Sequence, residues 1–109
     1  MKRIILLAFL CTTTLVMAQR INHVQEAIAN YDYEAALTLI AKEKPTIPLL
    51  LQKGKAQRGL GMNTEALSTY QEIITNDTAN TRAYIEAAEC CRSLAKYQQA
   101  LKYYEQALD

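Results

Sequence analysis

The side chains that could do chemistry are few in this 109-residue sequence, and none stands in a catalytic pattern. His23 is the one histidine, and no serine or cysteine near it completes a nucleophile motif. Cys90 and Cys91 are adjacent, so on a helix their side chains diverge by about 100° and a disulfide between them would be strained. No further ligands stand at a metal-binding spacing from them, and we interpret them as two small, half-buried residues. We therefore predict no enzymatic activity, no metal site and no cofactor.

The charged side chains point to binding rather than to catalysis. Glu86 and Glu89 fall on one face of a predicted helix, where we expect both to be solvated. The sequence has 12 basic and 11 acidic residues, of which residues 1–18 hold two basic ones and no acidic one, so the remainder carries a net charge of −1. This balance lacks the electrostatic pattern of a nucleic-acid-binding protein, and we predict no nucleic-acid partner.

Residues 1–18 have the pattern of a signal peptide. Two basic residues open the stretch, an apolar run follows over residues 4–10, and the small residue Ala18 ends it. Threonines at 12–14 interrupt the run, which is shorter than the roughly 20 apolar residues of a spanning helix. We predict cleavage between Ala18 and Gln19, no transmembrane segment in the mature chain, and export to the periplasm, the outer membrane or the medium. An uncleaved anchor and a cytoplasmic scaffold are the alternatives.

The rest of the sequence repeats with a period of 34 residues. Within each copy, apolar residues recur every three or four positions on both sides of a short break, which is the pattern of two amphipathic helices. At this register small residues match small ones and large apolar residues match large ones. The matched pairs are Leu50 with Tyr84, Gly54 with Ala88, Ala66 with Ala100, Leu67 with Leu101 and Tyr70 with Tyr104.

The period and these residue types resemble the tetratricopeptide repeat (TPR) family, whose pattern is W-x2-L-G-x2-Y followed by A-x3-F. The second copy keeps Gly54, Ala66 and Tyr70, and the third keeps Ala100 and Tyr104. A small residue on each helix of a hairpin lets the two helices approach, while a tyrosine fills the space beside them. An ordinary helical bundle would share the apolar periodicity but not these coincidences.

The resemblance implies an all-α fold, a right-handed solenoid of antiparallel helix hairpins. It comprises a degenerate hairpin over residues 19–46, one repeat over residues 47–80 and a C-terminally incomplete repeat over residues 81–109. The first copy is four residues short of the period, which we attribute to a shorter second helix or connection ending at Lys44-Pro45. The residues predicted to cap helices are Thr46, Asn63, and either Asn80 or Thr81.

The resemblance also implies where a partner would bind, because the first helix of each TPR lines a concave groove. An acidic peptide would suit its arginines, which bind carboxylates bidentately. We predict a protein–protein interaction module of the bacterial cell envelope; the alternative is a structural spacer, or a fragment of a larger envelope protein, with no groove ligand. The predicted groove residues are Leu51, Lys55, Arg58, Arg82, Ile85, Glu89 and Arg92, with Ile21, Gln25, Ile28 and Ala29 in the degenerate copy.

A short motif between the last two repeats suggests a modification. Asp77-Thr78-Ala79 resembles the acceptor for O-glycosylation of exported proteins in Bacteroidetes, and the Ala18-Gln19 junction is typical of the same group. Thr78 is therefore a candidate glycosylation site. A turn rich in Asn, Asp and Thr needs no such modification, so both interpretations stand.

The intact mass of the chain recovered from the bacterium that makes it tests the leader. We expect the mass of residues 19–109, because Ala18 offers the small side chain that signal peptidase requires. The variant Ala18→Phe is expected to keep the leader. Recovery of the wild-type chain at its full-length mass would contradict the prediction.

Overall fold

The computed structural model describes the backbone of residues 2–109 and the side chains of residue 12 and residues 14–109. No strand occurs in this part of the chain, which confirms the predicted all-α class. Nor does any helix in it have the length and hydropathy needed to cross a bilayer. The helices described are α1 (Lys2–Ala29), α2 (Tyr33–Ala41), α3 (Ile47–Gly59), α4 (Asn63–Asn76), α5 (Thr81–Ser93) and α6 (Tyr97–Leu108).

The helices pair into three hairpins that pack in chain order. Helix α1 packs on α2, α3 on α4 and α5 on α6. Contacts of α2 with α3 and of α4 with α5 join successive hairpins, and α1 also touches α3. The first helices of the hairpins, α1, α3 and α5, therefore follow one another along one face of the stack.

The turns inside the three hairpins share one backbone conformation. Tyr31, Gly61 and Ala95 each have a positive φ, at 60°, 75° and 60°. In each turn the next residue donates its N–H to a carbonyl five positions back, as in a Schellman motif. Gly61 follows Tyr31 by 30 positions and Ala95 follows Gly61 by 34, so the shortening lies in the first hairpin as expected. The three bonds are Asp32 to Ala27, Met62 to Gln57 and Lys96 to Cys91, each 2.8 Å.

The shortening falls in the second helix of the first hairpin. Helix α2 has 9 residues, against 14 in α4 and 12 in α6. It ends at Ala41, before Pro45, which confirms the shorter second helix. The connection to α3, residues 42–46, is one residue longer than the connection over residues 77–80, so it is not the tighter connection that was the alternative. The missing turn leaves a cavity of about 430 Å³ between α2, α3 and α4, whose walls include Leu37, Ile40 and Lys53.

Two of the three predicted helix caps are confirmed and one is wrong. The side chains of Thr46 and Asn80 each accept a hydrogen bond from the backbone N–H three residues on, at 3.4 and 3.0 Å. Asn63 does not cap α4, because it is already the first helical residue and Met62 holds the cap position. In all three hairpins the cap is the residue directly after the positive-φ residue, so the turn geometry fixes the start of the second helix.

The core between the last two hairpins is built from small residues facing large ones. Ala66 and Ala100 are buried, as their places in the repeat predict. Cys90 and Cys91 lie in the same core and are fully buried, not half-buried as expected, since α5 is enclosed by α4 on one side and α6 on the other. Burial raises the pKa of the Cys90 thiol to about 11.

Gly54 permits a close contact between α3 and α4. A Cβ atom at this position would lie 2.4 Å from Cζ of Tyr70, well inside van der Waals contact. Tyr70 is only 1% exposed and packs in the core between the last two hairpins. The pairing of Gly54 with Tyr70 therefore fixes how near the two helices lie.

The substitution Gly54→Ala is expected to destabilise the chain by about 1–3 kcal/mol through overpacking, despite a helix-propensity gain of up to about 1 kcal/mol. Urea unfolding measures the loss, with Ser68→Ala on the exposed side of α4 as the matched control, expected within about 0.5 kcal/mol of wild type. Adding Gly54→Ala to a Tyr70→Leu background should cost less, because the ring is gone. An equal cost in both backgrounds would refute the contact.

Candidate functional site

A continuous groove runs along the face formed by α1, α3 and α5. It consists of two cavities that share Gln52 and Lys55. The polar pocket, of about 220 Å³ between α3 and α5, is lined by Leu51, Gln52, Lys55, Arg58, Tyr70, Arg82 and Glu86. The tyrosine pocket, of about 390 Å³ beside the α1–α2 turn, is lined by Gln25, Ile28, Ala29, Tyr31, Tyr33, Gln52 and Lys55.

The predicted groove residues divide into two groups in the structure. Four of the seven on α3 and α5 line the polar pocket, and three of the four in the degenerate copy line the tyrosine pocket. Ile85, Glu89 and Arg92, also on α5, line neither pocket. Ile85 is 39% exposed and so offers apolar surface beside the groove.

Glu86 and Glu89 are not the solvated carboxylates that the sequence predicts. A guanidinium nitrogen of Arg58 donates to the Glu86 carboxylate, whose side chain is only 19% exposed. Glu89 accepts a hydrogen bond from the Tyr104 hydroxyl and lies 3.2 Å from Arg92. Both carboxylates therefore tie α5 to neighbouring elements, α3 in one case and α6 in the other.

The polar pocket keeps a surplus of positive charge. Its lining holds three cationic side chains and the single carboxylate of Glu86, a net charge of +2. Burial disfavours the charge on Arg58, but the Glu86 carboxylate outweighs it and raises the pKa of Arg58. Arg82 is exposed and lies 3.7 Å from Glu86, while Lys55 makes no ion pair with the side chains that the structure describes. Lys55 and Arg82 can therefore take an anion from outside.

Tyr70 forms the inner wall of the polar pocket although it belongs to α4. Its ring passes beneath Gly54 and reaches the space between α3 and α5. Burial, together with the nearby Glu86 charge, raises the pKa of Tyr70 above its ordinary value of 10.0. The hydroxyl therefore stays protonated at neutral pH, where it can donate to or accept from a ligand.

Two tyrosines from the first hairpin form the wall of the tyrosine pocket. The rings of Tyr31 and Tyr33 meet edge to face, with centroids 6.3 Å apart. Tyr33 packs on Gly59 of α3, where a Cβ atom would lie 2.4 Å from its ring. Tyr31 is 79% exposed. Neither tyrosine is among the predicted groove residues, although Tyr31 occupies the turn position that Gly61 holds in the next copy.

Among the described residues, no group of three His, Cys, Asp or Glu side chains is placed to hold a metal ion. The chemistry that this groove offers is instead that of charge, hydrogen bonding and aromatic contact. Such a surface can bind a chain that carries acidic and apolar side chains.

The three stacked hairpins define a TPR-like helical repeat fold. The structure is similar to that of PcrH, solved in complex with the chaperone binding region of PopB, with a TM-score of 0.80. The two sequences are 19% identical, and the match covers 84% of this chain and 77% of the PcrH chain. At that identity the likeness establishes the fold. No protein-family model matches the chain, and no curated protein does.

The raised pKa values of the Cys90 thiol and the Tyr70 hydroxyl predict how the stability of the fold depends on pH. The pKa of Cys90 rises from 9.0 to about 11 and that of Tyr70 rises above 10.0, so both groups ionise more readily in the unfolded chain. The stability they contribute is complete below pH 9 and is lost as the pH rises beyond it. We expect the free energy of unfolding in urea to fall between pH 9 and 11.

Two variants check this pH dependence. Tyr70→Phe is expected to lessen the fall above pH 10, because the ionising hydroxyl is absent. Tyr97→Phe, at an exposed position, serves as the control and should leave the profile unchanged. If Tyr70→Phe has the wild-type profile, the buried hydroxyl is not the cause.

Proposed function

We propose that this chain is a peptide-binding module, in which a segment of a partner protein lies in the groove across α1, α3 and α5. The observation that carries this proposal is the surplus positive charge of the polar pocket. Lys55 has no ion pair among the described residues, and Arg82 shares the one carboxylate of Glu86 with Arg58. Lys55 and Arg82 are both exposed, so an external carboxylate can reach them and balance the surplus positive charge. The role requires no catalysis.

We propose that the partner segment is acidic. An Asp or Glu side chain in the polar pocket would meet Lys55 and Arg82 and could accept a hydrogen bond from Tyr70. Leu51, which lines the same pocket, and Ile85 beside it supply apolar contact to the neighbouring side chains. A mixed segment, acidic at one position and apolar near it, would match this lining.

The comparison with PcrH supports a binding role. PcrH has the same fold and was solved with a binding region of another protein, PopB. Peptide capture on a stack of helix hairpins is therefore a use to which this fold lends itself. The kind of partner proposed for this chain follows from the chemistry of the chain's own groove.

We propose that the module works in the envelope of a bacterium. The leader pattern of residues 1–18 supports this location, and cleavage after Ala18 would release a chain that begins at Gln19 in the exported compartment. The partner would then be another exported or outer-membrane protein. Thr78 is exposed on the turn before α5 and would be accessible to a glycosylating enzyme.

A structural spacer is the second candidate, and one observation favours it. Three of the four cations among the predicted groove residues contact Glu86 or Glu89, and one of these pairs, Arg58 with Glu86, joins α3 to α5 without any ligand. A spacer would need these ion pairs but would gain nothing from a charge at Lys55. This residue therefore separates the two candidates.

The variant Lys55→Glu is expected to abolish selection of acidic peptides. Wild-type chain used as bait for a displayed library of random peptides should enrich Asp and Glu, because the polar pocket attracts carboxylates. Lys55→Glu reduces the pocket charge from +2 to 0, and we expect affinity for a selected peptide to fall by about tenfold or more, which is about 1.4 kcal/mol.

The matched control is Lys102→Glu, an equal charge change on the exposed side of α6 and away from the groove. It should leave both selection and affinity unchanged. Reversal of Arg58 is a poorer test, because it would set two carboxylates against each other at Glu86 and weaken the fold. Absence of any enrichment by the wild-type chain would overturn the binding module in favour of the spacer.

A further inference from the structure

We infer that the cavity between α2, α3 and α4 is a second binding site, which takes a medium-chain monocarboxylate such as octanoate. The carboxylate would lie at Lys53, and the hydrocarbon chain would lie between the apolar walls. The inference goes beyond the proposed function and does not depend on it. It depends on three observations: the apolar lining of the cavity, the two polar side chains that α3 contributes to it, and its volume.

The walls of this cavity are mainly apolar. Helix α2 and the loop that follows it form one side, and α3 forms the other. Six of the ten lining residues are apolar, namely Leu37, Ile40, Ala41, Pro45, Leu49 and Leu50. An apolar cavity with a small number of polar groups is the usual form of a small-molecule site. Hydrocarbon is therefore the material that most of this lining would contact.

The cavity and the groove lie on opposite sides of α3. Successive residues of a helix are about 100° apart, so Lys53 lies about 200° round the helix from Leu51 and from Lys55. Lys53 lines the cavity, whereas the other two line the polar pocket, and the two spaces share no lining residue. A ligand in the cavity would therefore leave the groove open to a peptide.

Gln57 brings an unused hydrogen-bond donor to the cavity. The residue is only 7% exposed, and its amide oxygen accepts a hydrogen bond of 2.6 Å from the Thr69 hydroxyl. No hydrogen bond within the described chain uses its amide nitrogen. Since no fully buried nitrogen among the described side chains lacks a partner, this one keeps access to the cavity that Gln57 lines. An acceptor on a ligand would satisfy it.

Lys53 adds a positive charge to the same cavity. It is half-buried and makes no ion pair with the described side chains. Of the two carboxylates in the lining, Glu43 lies with both oxygens 3.0 Å from a guanidinium nitrogen of Arg20, and Glu72 is exposed to solvent. Lys53 and Gln57 are four positions apart on α3, so they present two donors on one face. A carboxylate matches that pair.

The next repeat shows that this place in the fold does not require polar residues. At the 34-residue register Lys53 matches Ala87 and Gln57 matches Cys91, and both of those residues are fully buried. Small uncharged side chains therefore satisfy the packing of the equivalent helix. The lysine and the glutamine occur in the copy whose shortened α2 leaves the cavity beside them.

The volume of the cavity sets the length of the ligand. At about 30 Å³ for each group of the size of a water molecule, about 430 Å³ holds up to about 14 non-hydrogen atoms. Octanoate and decanoate are within this limit, whereas acetate would leave most of the walls uncovered and hexadecanoate would protrude. Each methylene group that is buried should raise the affinity about fourfold until the cavity is filled.

Isothermal titration calorimetry of the full-length chain with straight-chain acids from butanoate to hexadecanoate, each below its micellar concentration, tests the site. The affinity is expected to rise with chain length as far as octanoate or decanoate and then to level off. Octanol should bind about tenfold more weakly than octanoate, because it lacks the charge that meets Lys53.

Three results with the wild-type chain would overturn the inference. The first is no binding of any acid. The second is equal binding of octanoate and octanol, which would mean that the cavity accepts apolar groups without selecting a carboxylate. The third is an affinity that continues to rise through hexadecanoate, which would indicate adsorption to exposed apolar surface.

The variant Lys53→Met locates the carboxylate. It should lower the affinity for octanoate to that for octanol and leave octanol binding unchanged, which also shows that the cavity is intact. Lys55→Met is the matched control, the same change on the opposite side of α3, and should leave octanoate binding unchanged. Equal weakening by both variants would mean that the acid is held by general charge attraction and would refute the site.

A second variant tests the cavity without altering its charge. Ala41→Phe would fill the space from the end of α2 and is expected to abolish binding of octanoate and octanol alike. Capture of acidic peptides should be unchanged in this variant, because Ala41 lines neither pocket of the groove. Octanoate binding at the wild-type affinity would place the ligand elsewhere and overturn the inference.

Discussion

The approach of α3 to its neighbours around tyrosine rings is the contact on which the rest of the structure depends. At Gly54 the absent Cβ admits the ring of Tyr70 from α4, and at Gly59 it admits the ring of Tyr33 from α2. Each ring packs against a glycine of α3 and also lines one pocket, Tyr70 the polar pocket and Tyr33 the tyrosine pocket. The same two glycines thus set the spacing of the helices and the shape of the groove, so core packing and groove surface cannot vary independently.

The groove is asymmetric because the repeats are. The second and third hairpins keep the 34-residue spacing, and charged side chains of α3 and α5 fill the region between them. The first hairpin has lost a turn of α2 and carries a tyrosine where its neighbour has glycine. The sequence therefore departs from the repeat mainly beside the tyrosine pocket. It follows the repeat most regularly in the buried core of the last two hairpins. A repeat protein can specialise in this way because each hairpin contacts only its neighbours.

Local pattern was sufficient for the fold and for part of the groove. The period, the small residues at Ala66 and Ala100, and the cap residues Thr46 and Asn80 all act within one hairpin, so spacing along the chain reveals them. The partners of Glu86 and Glu89 depend on how one hairpin is set against the next and on how far each side chain reaches, which no spacing on a single helix encodes. The burial of the two cysteines depends in the same way on helices from both sides.

The paired thiols of α5 have a consequence for the movements of this stack. Cys90 and Cys91 are enclosed between α4 and α6, and burial keeps the pKa of both above the ordinary value, so they are poor nucleophiles while the last two hairpins stay together. A reagent can reach them only during local opening. The rate at which the two thiols react with a reagent therefore reports how often the last two hairpins open. A segment bound across α3 and α5 would lower that rate.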